Sequence, residues 1–146
     1  MIYDSNTERV TLKNEINLLK NYIEFQQFRH QQNHNITFNC TIDDENYPIY
    51  PMLLLPLVEN SFKYGIKGDI NNTFIHMSLT QKLDEFIFDI ENNYSESLME
   101  TNEHSGVGLE NIRKNLDIVY PKNHEFKITK TEATFRVTLK LYNHED

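Results

Sequence analysis

Apolar residues recur at helical spacing near the start of the chain, in VTLKNEINLLKNYIEFQQF. Polar and charged residues fill the positions between them, which is typical of an amphipathic helix. Thr11 precedes this run, and Asn14 and Glu15 follow it, which is a start signal of the capping kind. The pattern predicts a helix from about Thr11 to the polar residues 28–35. Its apolar positions are Val10, Leu12, Ile16, Leu19, Ile23 and Phe25.

Alternating apolar and polar residues predict five strands elsewhere in the chain. ITFNCTID forms a half-buried strand with Ile36, Phe38, Cys40 and Ile42 on one face, and Cys40 is expected to be a small buried residue. TFIHMSLT and EFIFDIEN, joined by the polar QKLD, predict an antiparallel hairpin. HEFKITK and ATFRVTLKLY predict two further strands near the end of the chain.

Two more helices are expected after the first predicted strand. Pro56 should begin one of them, because proline has no amide hydrogen, and Gly65 and Gly68 should close it. The apolar stripe of this helix is Leu55, Val58, Phe62 and Ile66, and that of the later helix is Leu109, Ile112, Leu116 and Val119. Residues 93–106 carry no period and are expected to form a lid or binding loop. The order of elements predicts an α+β domain, a mixed sheet with helices on one face.

Composition and charge narrow the class of protein. A chain of 146 residues with 38% apolar content can build one domain with a real core. The net charge of −8 argues against nucleic acid or an anionic membrane as the main partner. A single cysteine excludes an internal disulfide and fits a reducing compartment. No apolar run approaches the ~18 residues that span a bilayer, and no signal peptide is visible. We therefore expect a soluble, cytoplasmic chain, which could be the soluble end of a longer protein.

The polar side of the middle helix collects Glu59, Asn60, Lys63 and Tyr64. One explanation is a solvated face with a Glu59–Lys63 pair, which contributes only ~0.3–0.5 kcal/mol. The other is a magnesium and phosphate site, because asparagine is a mediocre helix former and its carboxamide lies beside a carboxylate and one turn from an ammonium. The helix alone leaves both explanations open.

Two glycines lie at the N-terminus of the later predicted helix, in SGVGLENI. Gly106 and Gly108 would let backbone N–H groups approach phosphate oxygens, and the helix N-terminus adds a favourable field. A tight turn that needs positive φ would explain the glycines equally well. Arg113, one turn into the helix, could add a planar cation to the same anion.

Taken together, these segments resemble the sensor histidine kinases of the GHKL ATPase superfamily. VENSFKYG resembles their N box and SGVGLENIRKNL their G2 box. The leading VTLKNEINLLKNYIEFQQFR, PMLLLPLVEN and GLENIRKNLDIVYP resemble the LytS-like branch, which acts on response regulators, often of the LytTR type. The resemblance implies a two-layer α/β sandwich of the histidine kinase-like ATPase type. It divides the chain into residues 1–33, the last helix of a dimerisation region or a connector, and residues 34–146, the ATP-binding catalytic domain.

The resemblance also implies roles for individual residues. Asn60 would ligate Mg²⁺, Lys63 would reach the phosphates, Tyr64 would lie against the adenine, and Glu59 would order water or metal. The G1 box corresponds to Glu91, Asn92 and Asn93, with Glu91 where the family has the aspartate that accepts the adenine amino hydrogen and Asn93 where it has glycine. Gly106, Val107, Gly108 and Leu109 form the phosphate loop, flanked by Arg113, and Thr134 helps to fix the buried carboxylate and its water.

The activity implied is transfer of the ATP γ-phosphoryl group to a histidine outside this chain. None of the six histidines stands in a motif like HFLFN, which holds the acceptor in this branch. The expected partners are ATP, a response regulator, and the dimerisation and acceptor-histidine domain of the same protein. The resemblance implies that this protein is a homodimer and a membrane-anchored bacterial sensor, of which this chain is the soluble part. One alternative is a degenerate GHKL domain that serves as a protein-interaction module. Another is an anti-sigma-factor serine kinase, against which the long N-terminal helix argues.

Overall fold

A computed structural model of the chain describes residues 9–30, 35–66, 73–93 and 107–143. The strands within these ranges are β1 (Val10–Thr11), β2 (Asn35–Ile42), β3 (Pro48–Ile49), β4 (Phe74–Lys82), β5 (Glu85–Asn93), β6 (His124–Lys130) and β7 (Thr134–Tyr142). The helices are α1 (Leu12–His30), α2 (Leu55–Ser61) and α3 (Val107–Val119), and one turn of π-helix (Phe62–Ile66) continues α2. No helix of the described part combines the length and apolar character that a bilayer-crossing helix needs.

The main sheet has five strands in the order β2-β4-β5-β7-β6. β2 runs parallel to β4, and the other neighbouring pairs are antiparallel. The predicted hairpin is confirmed, since Lys82 pairs with Glu85 across a turn made of Leu83 and Asp84. The predicted α+β class with a mixed sheet is confirmed as well. The two-residue strands β1 and β3, which pair with each other, were not predicted.

The core lies on one face of this sheet. Alternate side chains of the three central strands are buried there: Ile75, Met77 and Leu79 of β4, Phe86, Phe88 and Ile90 of β5, and Val137, Leu139 and Leu141 of β7. Side chains of the opposite parity are mostly polar, as in the Arg136–Asp89 ion pair at 2.7 Å. The helices pack on the apolar face, where Leu109, Ile112 and Leu116 of α3 join the same core.

The N-terminal helix begins as predicted, because the Asn14 amide donates to Thr11 Oγ1 at 3.2 Å. Two details of the prediction were wrong. Val10 lies in β1, where it pairs with Ile49, and Phe25 is 58% exposed. Leu12, Ile16, Leu19 and Ile23 lie in the same hydrophobic core as the sheet. Residues 12–23 therefore pack as part of this domain, and a connector role for residues 1–33 stays a prediction.

Cys40 is exposed, which corrects the prediction of a buried cysteine. β2 is the outermost strand of the sheet and pairs only with β4. A neighbouring strand therefore covers its side chains from one side only, so that Ile36 and Phe38 are half-buried and Cys40 is exposed. Alternation predicted the strand correctly but could not reveal its place at the edge of the sheet.

The middle helix differs from the regular helix that the sequence predicts. Pro56 stands in its first turn as expected, but the α-helix ends at Ser61 and continues as a π-helical turn to Ile66. Val58 and Phe62 are buried as predicted, and Leu57 and Ser61, which were not, are buried as well. Gly65 does not close the helix with a left-handed residue, since no described glycine has positive φ. The expected closing residue Gly68 lies outside the described residues.

Glu15 is a buried carboxylic acid in the first turn of α1, with 5% of its surface exposed. Burial raises the pKa of this carboxyl group above its usual 4.5, and a hydrogen bond from the Met52 backbone partly opposes the rise. Folding therefore favours the protonated form, and its contribution is lost as the pH rises through the folded-state pKa.

We expect Glu15→Gln to flatten part of the pH dependence of stability. The amide keeps an acceptor oxygen but does not ionise, so the variant should gain stability relative to the wild type as the pH rises from 4 toward neutrality. Urea unfolding of both proteins at a series of pH values measures this difference. Parallel pH profiles for the two proteins would contradict the assignment.

Candidate functional site

The π-helical turn is tied to the ends of two strands by one side chain, that of Asn93. Its Nδ2 donates to the Gly65 carbonyl at 3.0 Å, and its Oδ1 accepts from the Phe74 amide at 2.8 Å. The last residue of β5 therefore holds the C-terminal end of the π-turn against the start of β4. Asparagine at this position, where the G1-box resemblance expects glycine, has a structural role of its own.

Asn92 lies directly beneath the same turn. A Cβ atom placed on Gly65 would stand 3.0 Å from the Asn92 Cβ, so only glycine allows this approach without displacement. Asn92 is 1% exposed, and its Nδ2 donates to the Asn93 carbonyl at 2.7 Å. Its Oδ1 is buried and has no hydrogen-bond partner among the residues that the structure describes. Buried acceptors are almost always satisfied, so an orphan here indicates a place where a ligand's N–H group could bind.

Glu91 does not share this environment. Along β5 the residues Phe86, Phe88, Ile90 and Asn92 are buried, and Glu91 has the opposite parity. It pairs with Arg136 across the sheet and acts electrostatically on that guanidinium, on the polar face away from the helices. Of Glu91 and Asn92, Asn92 is therefore the one whose side chain is buried on the face toward the helical layer. The alternation of apolar and polar residues along β5 could have predicted from the sequence that Asn92, and not Glu91, is buried.

The four polar residues of the segment that resembles the N box differ in how far they are exposed to solvent. Asn60 and Tyr64 are half-buried, whereas Glu59 and Lys63 are exposed. The Lys63 ammonium lies 5.4 Å from the centre of the Tyr64 ring. Glu59 lies near Tyr22 of α1, whose pKa is raised first by burial and then by the negative charge of Glu59.

α3 packs against α2, the helix that leads into this turn. Val107 is the first residue of the helix and Leu109 is 7% exposed, so Leu109 contributes its side chain to the core. Gly108 is exposed, and a Cβ placed on it would meet no described atom within 4 Å beyond its chain neighbours and the backbone of its own helix. Packing among the described residues therefore gives no reason for glycine here. Gly106 and nearly all of the predicted lid, residues 94–106, lie outside the described residues.

Two predicted site residues have other contacts in the structure. The Arg113 guanidinium lies 5.0 Å from the centre of the Phe126 ring, toward β6 at the far edge of the sheet. Thr134 pairs with Asn93 in the β5–β7 ladder, but its hydroxyl group bonds to Thr131 Oγ1 at 2.9 Å. The backbone of Thr134 thus lies beside Asn93, but the side chains of Arg113 and Thr134 both contact residues outside the site.

The side chains around the π-turn suit a nucleotide better than a metal ion alone. Within the described ranges, no three His, Cys, Asp or Glu side chains come together as a preformed metal site. The site instead offers an unsatisfied buried amide oxygen at Asn92, a half-buried carboxamide at Asn60, an exposed ammonium at Lys63 and open space at Gly108. A divalent ion would be held here jointly by Asn60 and a ligand's phosphates.

The two described glycines give a matched pair of stability predictions. Gly65→Ala should cost about 1–2 kcal/mol, because the new methyl group crowds the hydrogen-bonded Asn92. Gly108→Ala should leave stability unchanged or raise it by up to about 1 kcal/mol, since its methyl group meets open space in a helix. Chemical denaturation measures both effects. Equal stability of the two variants would contradict the close approach of Gly65 to Asn92.

The fold is similar to those of solved histidine kinase structures. The catalytic domain of histidine kinase ThkA matches with a TM-score of 0.59 at 16% identity, over 92% of this chain and 95% of that domain. Acinetobacter baumannii histidine kinase AdeS matches with a TM-score of 0.60 at 14% identity, over 92% of this chain and 66% of that one. The chain has the fold of a histidine kinase catalytic domain.

Sensor histidine kinase YesM of Bacillus subtilis (strain 168) is similar to this chain in sequence, with 25% identity over 138 residues. These residues make up 90% of this chain, which spans only 24% of the length of YesM. A structure of ThkA in complex with the response regulator protein TrrA matches with a TM-score of 0.57 at 16% identity, over 90% of this chain and 40% of that one. No family model matches the chain.

The similarity in sequence to YesM and in structure to ThkA and AdeS confirms the resemblance to sensor histidine kinases.

Proposed function

We propose that this chain is the ATP-binding catalytic domain of a two-component sensor histidine kinase. It would transfer the γ-phosphoryl group of ATP to a histidine outside these residues, for relay to a response regulator. The observation that carries the proposal is the unpartnered Asn92 Oδ1, buried beneath the N-box turn in a fold shared with histidine kinase catalytic domains.

Adenine would be recognised by Asn92 in place of the family's aspartate. Because Asn92 Nδ2 already donates to the Asn93 carbonyl, the free Oδ1 faces a ligand as an acceptor. The 6-amino group of adenine can donate to it, whereas the 6-oxo group of guanine would meet it acceptor to acceptor. Tyr64 supplies an aromatic ring for the base. Glu91, on the other face of the sheet, has no part in this contact.

The phosphates and Mg²⁺ would lie between the N-box turn and the start of α3. Asn60 would ligate the ion and Lys63 would pair with the phosphates, while Glu59 would order water or metal. The backbone amides of Gly106 to Leu109 would bind phosphate oxygens at the helix N-terminus, and the space at Gly108 supports their close approach. Arg113 could contribute only if it left Phe126.

The chemistry at such a site is mostly positioning and charge neutralisation. A neutral imidazole of the acceptor domain forms a bond to the γ-phosphorus while the bond from that phosphorus to the β–γ bridging oxygen breaks, and ADP leaves. Lys63 and the amides of α3 would offset the charge that develops on the phosphoryl oxygens. The imidazole is itself the nucleophile, so the catalytic domain need not supply a general base.

The partners follow from the proposed activity. The acceptor histidine would lie in a dimerisation domain of the same protein, which would be a homodimer. A response regulator, possibly of the LytTR type that the LytS-like resemblance suggests, would receive the phosphoryl group. We propose a cytoplasmic location for the catalytic domain, because such kinases use cytoplasmic ATP and act on cytoplasmic regulators.

Thermal unfolding with Mg-nucleotides tests the proposal. Ligand at ~100 times its dissociation constant stabilises a protein by ~2.7 kcal/mol, which is visible as a raised midpoint. We expect millimolar Mg-ATP to raise the midpoint of the wild-type chain and Mg-GTP to raise it much less. No shift with any adenine nucleotide, in a chain that unfolds cooperatively, would instead favour a degenerate domain that acts as a protein-interaction module.

A further inference from the structure

β2 is an edge strand whose outer backbone groups face away from the sheet. The Asn35 amide donates to the Thr73 carbonyl at 3.2 Å, and the Asp43 amide donates to the Gln81 carbonyl at 3.1 Å. Odd-numbered residues of β2 therefore turn their N–H and C=O groups toward β4. Because a strand alternates, those of Ile36, Phe38, Cys40 and Ile42 point to the free edge, where no described strand pairs with them.

The two edges of the sheet differ in how they are protected. β6, at the other edge, carries Glu125, Lys127 and Lys130, and charged side chains on an edge strand oppose pairing with another chain. β2 has the sequence NITFNCTI, which contains no charged residue, proline or glycine over eight residues. A long, uncharged edge of this kind is a template for strand pairing.

A groove beside this edge has complementary charges on its rim. It has a volume of about 300 Å³ and is lined by Lys20, Ile23, Glu24 and Gln27 of α1 and by Ile36 and Phe38 of β2. Lys20 and Glu24 are exposed, opposite in charge and one helical turn apart. Two antiparallel copies of α1 related by a two-fold axis midway between these residues would bring Lys20 opposite the partner's Glu24, and Glu24 opposite the partner's Lys20.

We propose that β2 is a homodimer interface, at which two copies of this chain pair their β2 strands antiparallel about a two-fold axis. An axis at Asn39 overlaps the strands fully and places Phe38 opposite Cys40 and Ile36 opposite Ile42. The two five-stranded sheets then become one continuous sheet. The exposed Cys40, half-buried Phe38 and the groove beside them are covered by the second copy. This inference does not depend on the nucleotide site.

Sedimentation equilibrium over a wide concentration range tests the interface, with a thiol reductant present to exclude a disulfide through Cys40. The wild-type chain of 17.4 kDa should show a reversible monomer–dimer equilibrium. Cys40→Pro removes an amide hydrogen that points to the free edge and leaves the β2–β4 ladder intact. It should weaken dimerisation roughly tenfold or more, because each dimer loses the bond twice. Cys40→Ser, which keeps the amide hydrogen, is the matched control and should dimerise like the wild type.

A charge reversal gives a second test that does not touch the strand. Lys20→Glu places like charges at both rim contacts and should weaken the dimer about tenfold, whereas Lys20→Glu with Glu24→Lys should restore it. If Cys40→Pro fails to fold by circular dichroism, this pair decides the question. A wild type that remains monomeric at every concentration would overturn the proposal. So would a dimer that is unaffected by the folded Cys40→Pro variant or by Lys20→Glu.

Discussion

Asn60→Ala abolishes most of the stabilisation that Mg-ATP gives to the wild-type chain. Loss of a direct oxygen ligand should weaken metal-dependent nucleotide binding by about 100-fold or more. At a concentration that stabilises the wild type by ~2.7 kcal/mol, the variant should then gain less than about 0.5 kcal/mol. Because Asn60 is only half-buried, the unliganded variant should differ from the wild type by less than about 1 kcal/mol.

Thermal unfolding at several Mg-ATP concentrations measures this effect. Asn17→Ala is a matched control, since Asn17 is an exposed asparagine of α1 and should leave the shift unchanged. Excess EDTA should reduce the wild-type shift to that of Asn60→Ala. A variant that keeps the full Mg-ATP shift would exclude Asn60 as the metal ligand.

Asn92→Leu removes adenine recognition, whereas Glu91→Gln preserves it. Leucine is close to asparagine in shape but has no acceptor for the 6-amino group, so ATP affinity should fall by about 10²-fold or more. The unliganded variant should lose no more than about 1–2 kcal/mol of stability, because it loses the hydrogen bond from Asn92 to the Asn93 carbonyl but also removes a buried acceptor without a described partner. Glu91→Gln, on the opposite face of β5, should change ATP affinity less than about threefold.

Calorimetric titration of Mg-ATP and Mg-GTP into each variant separates the two residues. The wild type should prefer ATP, and Asn92→Leu should lose most of that preference along with its affinity. If Glu91→Gln weakened ATP binding more than Asn92→Leu did, the assignment of Glu91 by resemblance to the G1 box would be correct and the assignment of Asn92 by strand parity would be wrong.

The hydrophobic pattern predicted the elements well, because it reports directly on burial. The alternation in β4 and β5 gave the hairpin, and the stripe of Leu109, Ile112 and Leu116 gave α3. The place of β2 at the edge of the sheet depends on the order of the strands, which alternation does not contain. Cys40 was consequently predicted to be buried, although it is exposed.

The site was predicted in outline but not in its geometry. Asn60, Lys63 and Tyr64 follow from the N-box resemblance, and the structure describes all three on or beside the π-turn. That turn itself was missed, because Phe62 to Ile66 fits a regular helix equally well in sequence. The Asn93–Gly65 hydrogen bond and the close approach of Gly65 to Asn92 join residues far apart in the chain, so no local pattern could reveal them. Matching a motif by residue type favoured the acidic Glu91, although strand parity favoured Asn92.

We propose that a nucleotide binds between the N-box turn, the end of β5 and the start of α3. Two-dimensional ¹H–¹⁵N NMR spectra of the labelled chain, recorded as a non-hydrolysable Mg-ATP analogue is added, test it most directly. We predict saturable shifts of the Asn60 and Asn92 side-chain amides and of the backbone amides of Gly65 and Gly108. Shifts confined to other surfaces, such as the cleft around Arg9, Tyr120 and Asn143, or none at millimolar nucleotide, would contradict the account.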